Sequence, residues 1–364
     1  MHVCSLTVQN FKNAEQETIR FSEGINVIYG KNASGKTNLL EAVFFFASGR
    51  SFRGSKEKDM IRFGQSFATA ELVFESNQLE RQMSVRFVKN ERRQIFVNQV
   101  RAQKLADYLG LFRAVIFTPD HLNLIKGNAP FRRKFLDIAI CQSFSRYVVA
   151  LHEYQRLLIQ KTALLKMKNP DRTLLGIYNE RMAPLAGIIT LNRHRYIRTL
   201  EEEAAVFQKD MSGGREDMVL KYVSQAGETE KTAEELKTVY ARLFSEKEEK
   251  ELQYGLCLYG PQKDDFEIYL SGKNARLFGS QGQQRSSVLS LKLAEGNLSQ
   301  RLTGEYPVFL LDDILSELDA ERREYILAKI PGKQVIVTGC EPELFSDYRS
   351  ANKIYVENGI ARQI

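Results

Sequence analysis

The stretch GKNASGKT, residues 30–37, most constrains the fold, because it satisfies the pattern G-x-x-x-x-G-K-[ST] of a phosphate-binding loop. It follows the apolar run INVIY and precedes TNLLEAVFFF, so a strand is expected to enter the loop and a helix to leave it. Glycines allow backbone N–H groups and the helix N-terminus to surround a β-phosphate. The stretch therefore predicts an α/β fold with a nucleotide-phosphate site at this loop.

The side chains of the loop supply the remaining chemistry. Lys36 is expected to place a positive charge between the β- and γ-phosphates of ATP, which makes it a catalytic as well as a binding candidate. The Thr37 hydroxyl is expected to bind Mg²⁺. The predicted nucleotide-binding residues of this region are Gly30, Lys31, Asn32, Ala33, Ser34, Gly35, Lys36, Thr37 and Asn38.

A second motif, VFLLDD at 308–313, supplies two carboxylates. The apolar run predicts a strand buried on both faces, and its end predicts Asp312 as a Mg²⁺ ligand through water. Asp313, one residue beyond the strand, is the candidate general base that polarises the attacking water. Two acids at a strand end are also typical of a solvated surface, but together with the phosphate loop they predict ATP hydrolysis.

Two further nucleotide-binding candidates lie near these acids. Asp319 ends the stretch SELD, which fits a helix N-terminus equally well, with Ser316 as the cap and Asp319 at the third helical position. Thr338 ends the strand-like run QVIVT and can turn its hydroxyl towards a γ-phosphate. A threonine at the end of a strand is also an ordinary strand residue.

A glutamine-rich turn, SQGQQ at 280–284, stands at the start of a helix predicted at 286–298. The order of phosphate loop, polar turn, helix and acid-ended strand resembles that of ATP-binding-cassette ATPases. In those proteins the turn offers a serine hydroxyl, a glycine N–H and a helix N-terminus to the γ-phosphate held by a second protomer. We therefore expect Ser280, Gly282 and Gln283 to bind the ATP of a second copy in a head-to-tail homodimer.

The order of the patterns predicts an ATPase lobe interrupted by a helical arm. The first thirty residues alternate apolar and polar positions, and residues 1–130, with the phosphate loop, are expected to form the first part of the lobe. Residues 131–255 show apolar spacing near 3.6 and predict an antiparallel pair of long helices followed by further helix. Residues 256–364 return to α/β character and carry the polar turn and the acid-ended strand.

The composition favours an intracellular protein with a polyanionic partner. The net charge is +7, and basic clusters that alternate with aromatic residues are either DNA contacts or solvated faces. No apolar stretch reaches the ~20 residues of a membrane span, and the four cysteines, Cys4, Cys141, Cys257 and Cys340, lack metal-ligand spacing and are predicted to be reduced, mostly buried thiols. The clusters are RSFRGSKEK (50–58), RFVKNERRQ (86–94), KGNAPFRRK (126–134) and RHRYIR (193–198).

Motifs along nearly the whole chain resemble, in the same order, the RecF family of bacterial DNA repair ATPases related to the SMC proteins. They are GKNASGKTNLLEA (30–42), RSFRG (50–54), VIFTPDHLNLIKG with FRRKFLD (115–137), YGPQKDDF (259–266), GSQGQQRSSVLSLKLAE (279–295) and VFLLDDILSELD (308–319). The resemblance implies an SMC-type ATP-binding-cassette head with a helical second domain. It also implies ATP-dependent dimerisation on DNA, weak DNA-stimulated hydrolysis that acts as a timer, recognition of gapped or junction DNA with a RecR-like partner, and RecA loading by a cytoplasmic, nucleoid-associated protein.

The sequence departs from the expected patterns at three places. Gln262 and Lys263 stand where the family usually has His-Arg. The residues PDH at 119–121 occupy the region before the arm where a Q-loop glutamine is expected, and no glutamine is present there. Asp313 is one methylene shorter than the glutamate usual in cassette ATPases, which predicts slow turnover.

Two alternative functions compete with DNA repair. The first is the ATPase subunit of a membrane transporter, in which the polar turn lies much closer to the phosphate loop than the 244 positions that separate Lys36 from Ser280. The second is an ATP-clamped scaffold without DNA binding, against which the basic clusters argue.

Overall fold

The computed structural model describes residues 1–227, 231–329, 332–339 and 351–363. These residues form two compact units, of which the first combines Met1–His121 with Leu291–Ile364 and the second is Leu122–Ser290. The second unit extends beyond the predicted arm, residues 131–255, at both ends. At the C-terminal end the reason is that residues after 255 form strands that pair with a strand of the helical region, as Asp265 does with Val223.

A six-stranded sheet forms the centre of the first unit, in the order β15-β14-β3-β13-β12-β8. Its strands are parallel except for β15, and the register pairs Asp312 with Thr338 and Thr338 with Ile28. The carboxyl ends of three neighbouring strands therefore meet at one edge. The strands are β3 (Ile25–Tyr29), β8 (Ala114–Phe117), β12 (Val308–Asp312), β13 (Val335–Gly339), β14 (Asn352–Glu357) and β15 (Ile360–Gln363).

A second, antiparallel sheet of six strands completes the first unit, in the order β2-β1-β4-β5-β6-β7. Residues 67–76 show the regular alternation of buried and half-buried positions that is typical of a sheet with one face packed on the core. The strands are β1 (His2–Phe11), β2 (Ala14–Arg20), β4 (Phe67–Ser76), β5 (Leu79–Val88), β6 (Gln94–Val97) and β7 (Val100–Arg101).

The main helix of the first unit, α1 (Lys36–Ser48), contains the whole stretch TNLLEAVFFF that was expected to be helical. Its residues from Leu39 to Ser48 are all buried, so the run of apolar side chains serves a helix enclosed on every side. The strands and the helix that flank the phosphate loop are thus those predicted.

Helices dominate the second unit. The predicted antiparallel pair is present, because Glu153 contacts Arg181 while the earlier Tyr147 contacts the later Arg193. The long second member continues through Pro184 without ending. The helices are α2 (Asn123–Lys126), α3 (Ala129–Cys141), α4 (Ser145–Leu165), α5 (Arg172–Met211), α6 (Ala233–Glu246), α7 (Glu248–Tyr254) and α8 (Ala275–Phe278).

Three short antiparallel strands accompany these helices, in the order β11-β10-β9. They are β9 (Met218–Val223), β10 (Asp265–Leu270) and β11 (Lys273–Asn274). Helix α9 (Gln281–Thr303) follows and contains the division between the units, and α10 (Ala320–Ala328) belongs to the first unit.

Within the described ranges, no helix has the length and apolar character that crossing a membrane requires. Cys257 is buried, whereas Cys4 and Cys141 are half-buried. Cys340 lies outside the described residues.

Candidate nucleotide-binding site

Two glycines give the phosphate loop its shape. Gly30 and Gly35 have φ angles of +150° and +116°, which favour glycine. A Cβ atom on Gly30 would lie 2.1 Å from the Val356 carbonyl oxygen, and one on Gly35 would lie 2.7 Å from Nδ2 of Asn13. The backbone can therefore fold back on itself here only because both residues lack a side chain.

Neighbouring segments hold the loop in place through the Ser34 carbonyl. This oxygen accepts hydrogen bonds from Nδ2 of Asn13 at 3.0 Å and from the Gly359 N–H at 2.8 Å. Asn13 in turn accepts a bond of 2.8 Å from Nδ2 of Asn38. Asn13 lies outside every motif, so nothing in the sequence singled it out.

The interior of the loop carries groups suited to a phosphate. The Lys36 ammonium, 7% exposed, donates to the carbonyls of Gly30 at 2.7 Å and Lys31 at 2.9 Å. The Ser34 hydroxyl is buried and has no hydrogen-bond partner in the part of the chain that the structure describes. The first turn of α1 reads KTNL and carries no acid that would oppose an anion. These features fit the phosphates of a nucleoside triphosphate.

Residues far apart in sequence meet at the predicted magnesium position. Thr37 Oγ1 donates to Asp312 Oδ1 at 2.8 Å. No group of three His, Cys, Asp or Glu side chains able to hold a metal occurs among the described residues. Mg²⁺ does not need one, because it commonly takes one or two protein oxygens together with phosphates and water. Thr37 and Asp312 therefore fit a magnesium ion that arrives with ATP.

Thr338 supports the two acids. Its hydroxyl donates to Asp312 Oδ1 at 2.9 Å and accepts the Asp313 N–H at 3.0 Å, and the residue is only 2% exposed. The expected contact with a γ-phosphate would require this hydroxyl to leave the acids. In this structure the threonine is a positioning residue.

The two acids differ in environment. Burial raises the pKa of Asp312, while hydrogen bonds from Thr37 and Thr338 act to lower it and the nearby Asp313 charge raises it further. Asp313 is exposed and has a φ of +52°, an uncommon backbone conformation that aspartate tolerates better than most residues. The buried acid is thus placed for a metal and the exposed acid for water.

Asp319 has a structural role that differs from the expected one. It is itself the N-cap of α10, accepting the Arg322 N–H at 3.0 Å, and it pairs with the Arg322 side chain. The expectation that Ser316 caps the helix is wrong, since Leu315–Glu317 form a separate short turn and the Ser316 hydroxyl donates to the Asp313 carbonyl at 2.9 Å.

Arg53 is a residue of the site to which the sequence assigned no role, although it lies in the stretch RSFRG. Its Nη1 lies 3.5 Å from Oδ1 of Asn38, and its charge acts to lower the pKa of Asp312. Arg53 therefore adds positive charge beside the predicted metal and phosphate positions.

The polar turn lies in the second unit and forms a reciprocal cap. The Ser280 N–H donates to Oε1 of Gln283 at 2.8 Å, and the Gln283 N–H donates to the Ser280 hydroxyl at 3.2 Å. Helix α9 begins at Gln281, five residues before the predicted start at 286, because this cap closes its first turn. Gly282 and Gln283 are half-buried within that turn, while Ser280 is exposed.

A polar network ties this turn to helix α5. Gln283 Nε2 donates to Glu216 Oε1 at 2.9 Å, and the other oxygen of Glu216 accepts from Gln208 at 2.6 Å. Gln208, which is fully buried, also accepts from the Ser290 hydroxyl at 3.0 Å. Glu216 carries no motif, so only the folded chain reveals that it orients the glutamine of the turn.

Two of the basic clusters contribute buried arginines to the second unit. Arg132 binds Asp265 through two nitrogens at 2.7 Å, and Arg193 binds Asp137 at 2.8 Å. Arg193 also donates to the Pro261 carbonyl at 2.7 Å, so the stretch YGPQKDDF is fixed to the helices. These two arginines are 5% and 3% exposed and are structural rather than DNA contacts.

The departure from the family pattern at Gln262 and Lys263 divides into two cases. Gln262 accepts a hydrogen bond from the Tyr154 hydroxyl and donates to the Tyr259 carbonyl at 2.7 Å, so it helps to close the turn. Lys263 is exposed and keeps a positive charge at the surface.

Comparisons with known proteins agree with the geometry. Residues 2–362 match the RecF/RecN/SMC N terminal domain family. The DNA replication and repair protein RecF of Acetivibrio thermocellus is 36% identical over 360 residues, covering 98% of both chains, and that of Geobacillus kaustophilus is 37% identical, covering 93% of this chain and 92% of the relative.

Solved structures give the same result for the fold. The recombination mediator protein RecF with ATP, from the RecFOR pathway, superposes with a TM-score of 0.92 at 32% identity, covering 100% of this chain and 97% of that one. The Smc head domain of Pyrococcus furiosus, at 18% identity and a TM-score of 0.56, shares the fold. The expected SMC-type ATPase head is thereby confirmed.

Proposed function

The chain belongs to the RecF/RecN/SMC N-terminal domain family, within which it is a RecF-type DNA replication and repair protein, and on this premise we propose that ATP closes two copies of it on DNA. The ATPase subunit of a transporter and the scaffold without DNA binding, both considered from the sequence, are not favoured by this family. The remaining question is how the site performs its work.

One observation carries the proposal: a single chain holds a complete phosphate site and an exposed, capped polar turn. Lys36 and the Thr37–Asp312 pair are bonded inside the first unit, and Ser280 is exposed at the start of α9. The first turn of α9 reads QGQQ and has no acid, so it suits the γ-phosphate of an ATP held by a second copy. The homodimer then encloses two ATP molecules.

Hydrolysis in the proposed dimer is slow and acts as a timer. A bound Mg²⁺ supplies charge that offsets the β- and γ-phosphates. Lys36 binds the same phosphates, Thr338 orients both acids, and Asp313 takes a proton from the attacking water. DNA stimulates this weak activity, and the turnover number lies well below the ~10 s⁻¹ median of enzymes.

The DNA-bound state is proposed to recognise gapped duplex and junctions with single strands. The net charge of +7 and the RecFOR pathway of the solved relatives support a cytoplasmic, nucleoid-associated protein that acts with a RecR-like partner in RecA loading. A groove that neutralises ~6–10 phosphates should lose about 10³- to 10⁵-fold in affinity between 50 and 200 mM salt.

Sedimentation with ATP, with and without gapped DNA, tests the proposal. Ser280→Arg should keep nucleotide binding and lose the ATP-dependent dimer, because the long cation fills the position of the second copy's phosphate. Ser245→Arg makes the same change at an exposed position of α6 and should dimerise normally. Lys36→Ala should lose nucleotide binding and, with it, the dimer.

The result that decides against the proposal is a Ser280→Arg protein that dimerises like the unchanged chain. An ATP-dependent dimer that ignores gapped DNA would instead support the scaffold.

A further inference from the structure

Phe63 is the most exposed large apolar side chain of the described residues, at 101% of its reference surface. It lies in the turn between the short helix Glu57–Met60 and strand β4. Leaving an aromatic ring entirely in water is unfavourable.

The backbone on both sides of Phe63 is fixed. Met60 is 1% exposed, and Ile61 forms a bridge with Phe11 of β1. The Arg62 N–H donates to the Asn10 carbonyl at 2.8 Å, and the Gln65 N–H closes a turn onto the Arg62 carbonyl at 3.0 Å. The anchored chain thus displays the ring in water.

The turn belongs to a strongly basic part of the first unit. Residues 50–66 and 86–93 hold nine Lys and Arg against three acids, a balance of +6 in a chain of net charge +7. The two segments touch, because the Lys89 N–H donates to the Ser66 carbonyl at 2.9 Å and Arg93 pairs with Glu57 at 2.6 Å. We call these residues the basic surface.

The surroundings of Phe63 determine which partner it suits. A protein partner would be expected to meet a continuous apolar patch. Phe63 instead lies on the basic surface, where Lys58, Lys89 and Arg92 are exposed. A ring among cations is the arrangement that binds single-stranded nucleic acid, with bases stacked on the aromatic face and phosphates bound by the charges.

We propose that Phe63 stacks on the first unpaired base where duplex DNA opens into single strand, while the basic surface binds the flanking phosphates. The proposal rests on the DNA function given above and assigns the residue that distinguishes a junction from plain duplex. Base stacking tolerates any sequence, which suits a protein that responds to DNA structure.

The same segment reaches the nucleotide site. Residues 50–66 begin directly after Gly49, which caps the end of α1, and their Arg53 lies 3.5 Å from Asn38 in the first turn of that helix. DNA held at Phe63 therefore contacts a segment whose other end lies beside the first turn of α1, which follows the phosphate loop. This provides a physical route by which junction binding affects hydrolysis.

Binding to three DNAs tests the proposal: blunt duplex, single strand, and duplex with a single-strand gap that carries 2-aminopurine at the first unpaired position. Phe63→Ala should weaken binding to gapped DNA about 5- to 150-fold, the size of one lost base stack, and abolish the quenching of 2-aminopurine. Binding to blunt duplex should not change. Phe63→Trp should retain both signals, and Val100→Ala, at a position 72% exposed in β7, is the matched control.

Several outcomes would overturn the proposal. Phe63→Ala that binds gapped DNA like the unchanged chain removes the stacking role, and an equal loss on all three DNAs removes the junction preference. A loss confined to the binding of a RecR-like protein makes the turn a protein interface instead. If the protein without substitutions binds none of the three DNAs, the proposed function itself is wrong. This failure is distinguishable from a failure of the Phe63 proposal, because it is observed before any residue is changed.

Discussion

The two halves of the proposed ATP site are built differently. The phosphate-loop half is buried and bonded within one unit, with Lys36 and Asp312 each 7% exposed. The polar-turn half is a surface cap, in which Ser280 is exposed and Gln283 is held from behind by Glu216. The first half is therefore preorganised to hold a nucleotide, whereas the second is exposed, as the proposed binding of another copy's nucleotide requires.

The largest expected effect tests whether the catalytic residues belong to the phosphate-loop half. Asp313→Asn should lower the turnover number about 10²- to 10⁴-fold at saturating ATP, because the general base is lost, while ATP affinity stays within a few fold. Asp313→Glu keeps a carboxylate and should remain active. Hydrolysis that survives in the asparagine variant would assign the base to another residue.

An intermediate effect tests whether the polar turn is held from behind. Glu216→Ala should weaken the ATP-dependent dimer by about tenfold, because Gln283 loses a charge-assisted hydrogen bond, while ATP binding is unchanged. Asp217→Ala removes the neighbouring exposed acid and serves as the control. Glu216→Gln should restore part of the dimer, since an amide can still accept the bond from Gln283.

The dimerisation of the Glu216→Ala protein has to be compared with its melting temperature. A purely structural role would lower the melting temperature and leave the dimer affinity of the folded protein intact. That outcome would make the two halves independent of the network behind the turn.

The smallest effect concerns the cost of burying Asp312. Burial raises the pKa of Asp312 in the folded chain. The free energy of unfolding therefore falls as the pH rises from the ordinary aspartate pKa through the raised pKa of the folded chain, and it stays lowered above that value. Without Mg²⁺ at pH 7, Asp312→Asn should raise the melting temperature by about 1–3 °C and abolish hydrolysis.

This difference should disappear as pH falls towards the ordinary aspartate value of about 3.9, where the unchanged residue is protonated too. An asparagine variant that melts lower at pH 7 would show that the buried carboxylate contributes stability, contrary to its raised pKa.

Local patterns predicted the parts of the molecule that backbone chemistry controls. The loop shape follows from Gly30 and Gly35, and the strand and helix beside it follow from apolar periodicity, so the fold class and the meeting of Thr37 with Asp312 were foreseeable. The residues that cap the helices were harder to predict. Helix α9 begins after Ser280 rather than at 286, and the N-cap of α10 is Asp319 rather than Ser316.

Partners separated widely in sequence were not predictable from single motifs. Glu216 and Gln283 lie 67 positions apart, and Arg193 and Asp137 lie 56 apart. The sequence showed RHRYIR only as a basic cluster, while the fold buries Arg193 of that cluster in an ion pair. Charge in a sequence gives no information on burial, which depends on the elements that pack around it.

The sequence alone predicted the chemistry that we propose for the site: a phosphate loop, an acid for a metal, a neighbouring acid for water and a polar turn for a second nucleotide. Each follows from local spacing, because a few consecutive residues set the backbone and its donors. The folded chain was needed to show that Thr338 bonds the Asp312 carboxylate and the Asp313 N–H, that Glu216 bonds Gln283 of the turn and that Phe63 is fully exposed. These facts depend on which distant segments meet, and packing rather than spacing controls that.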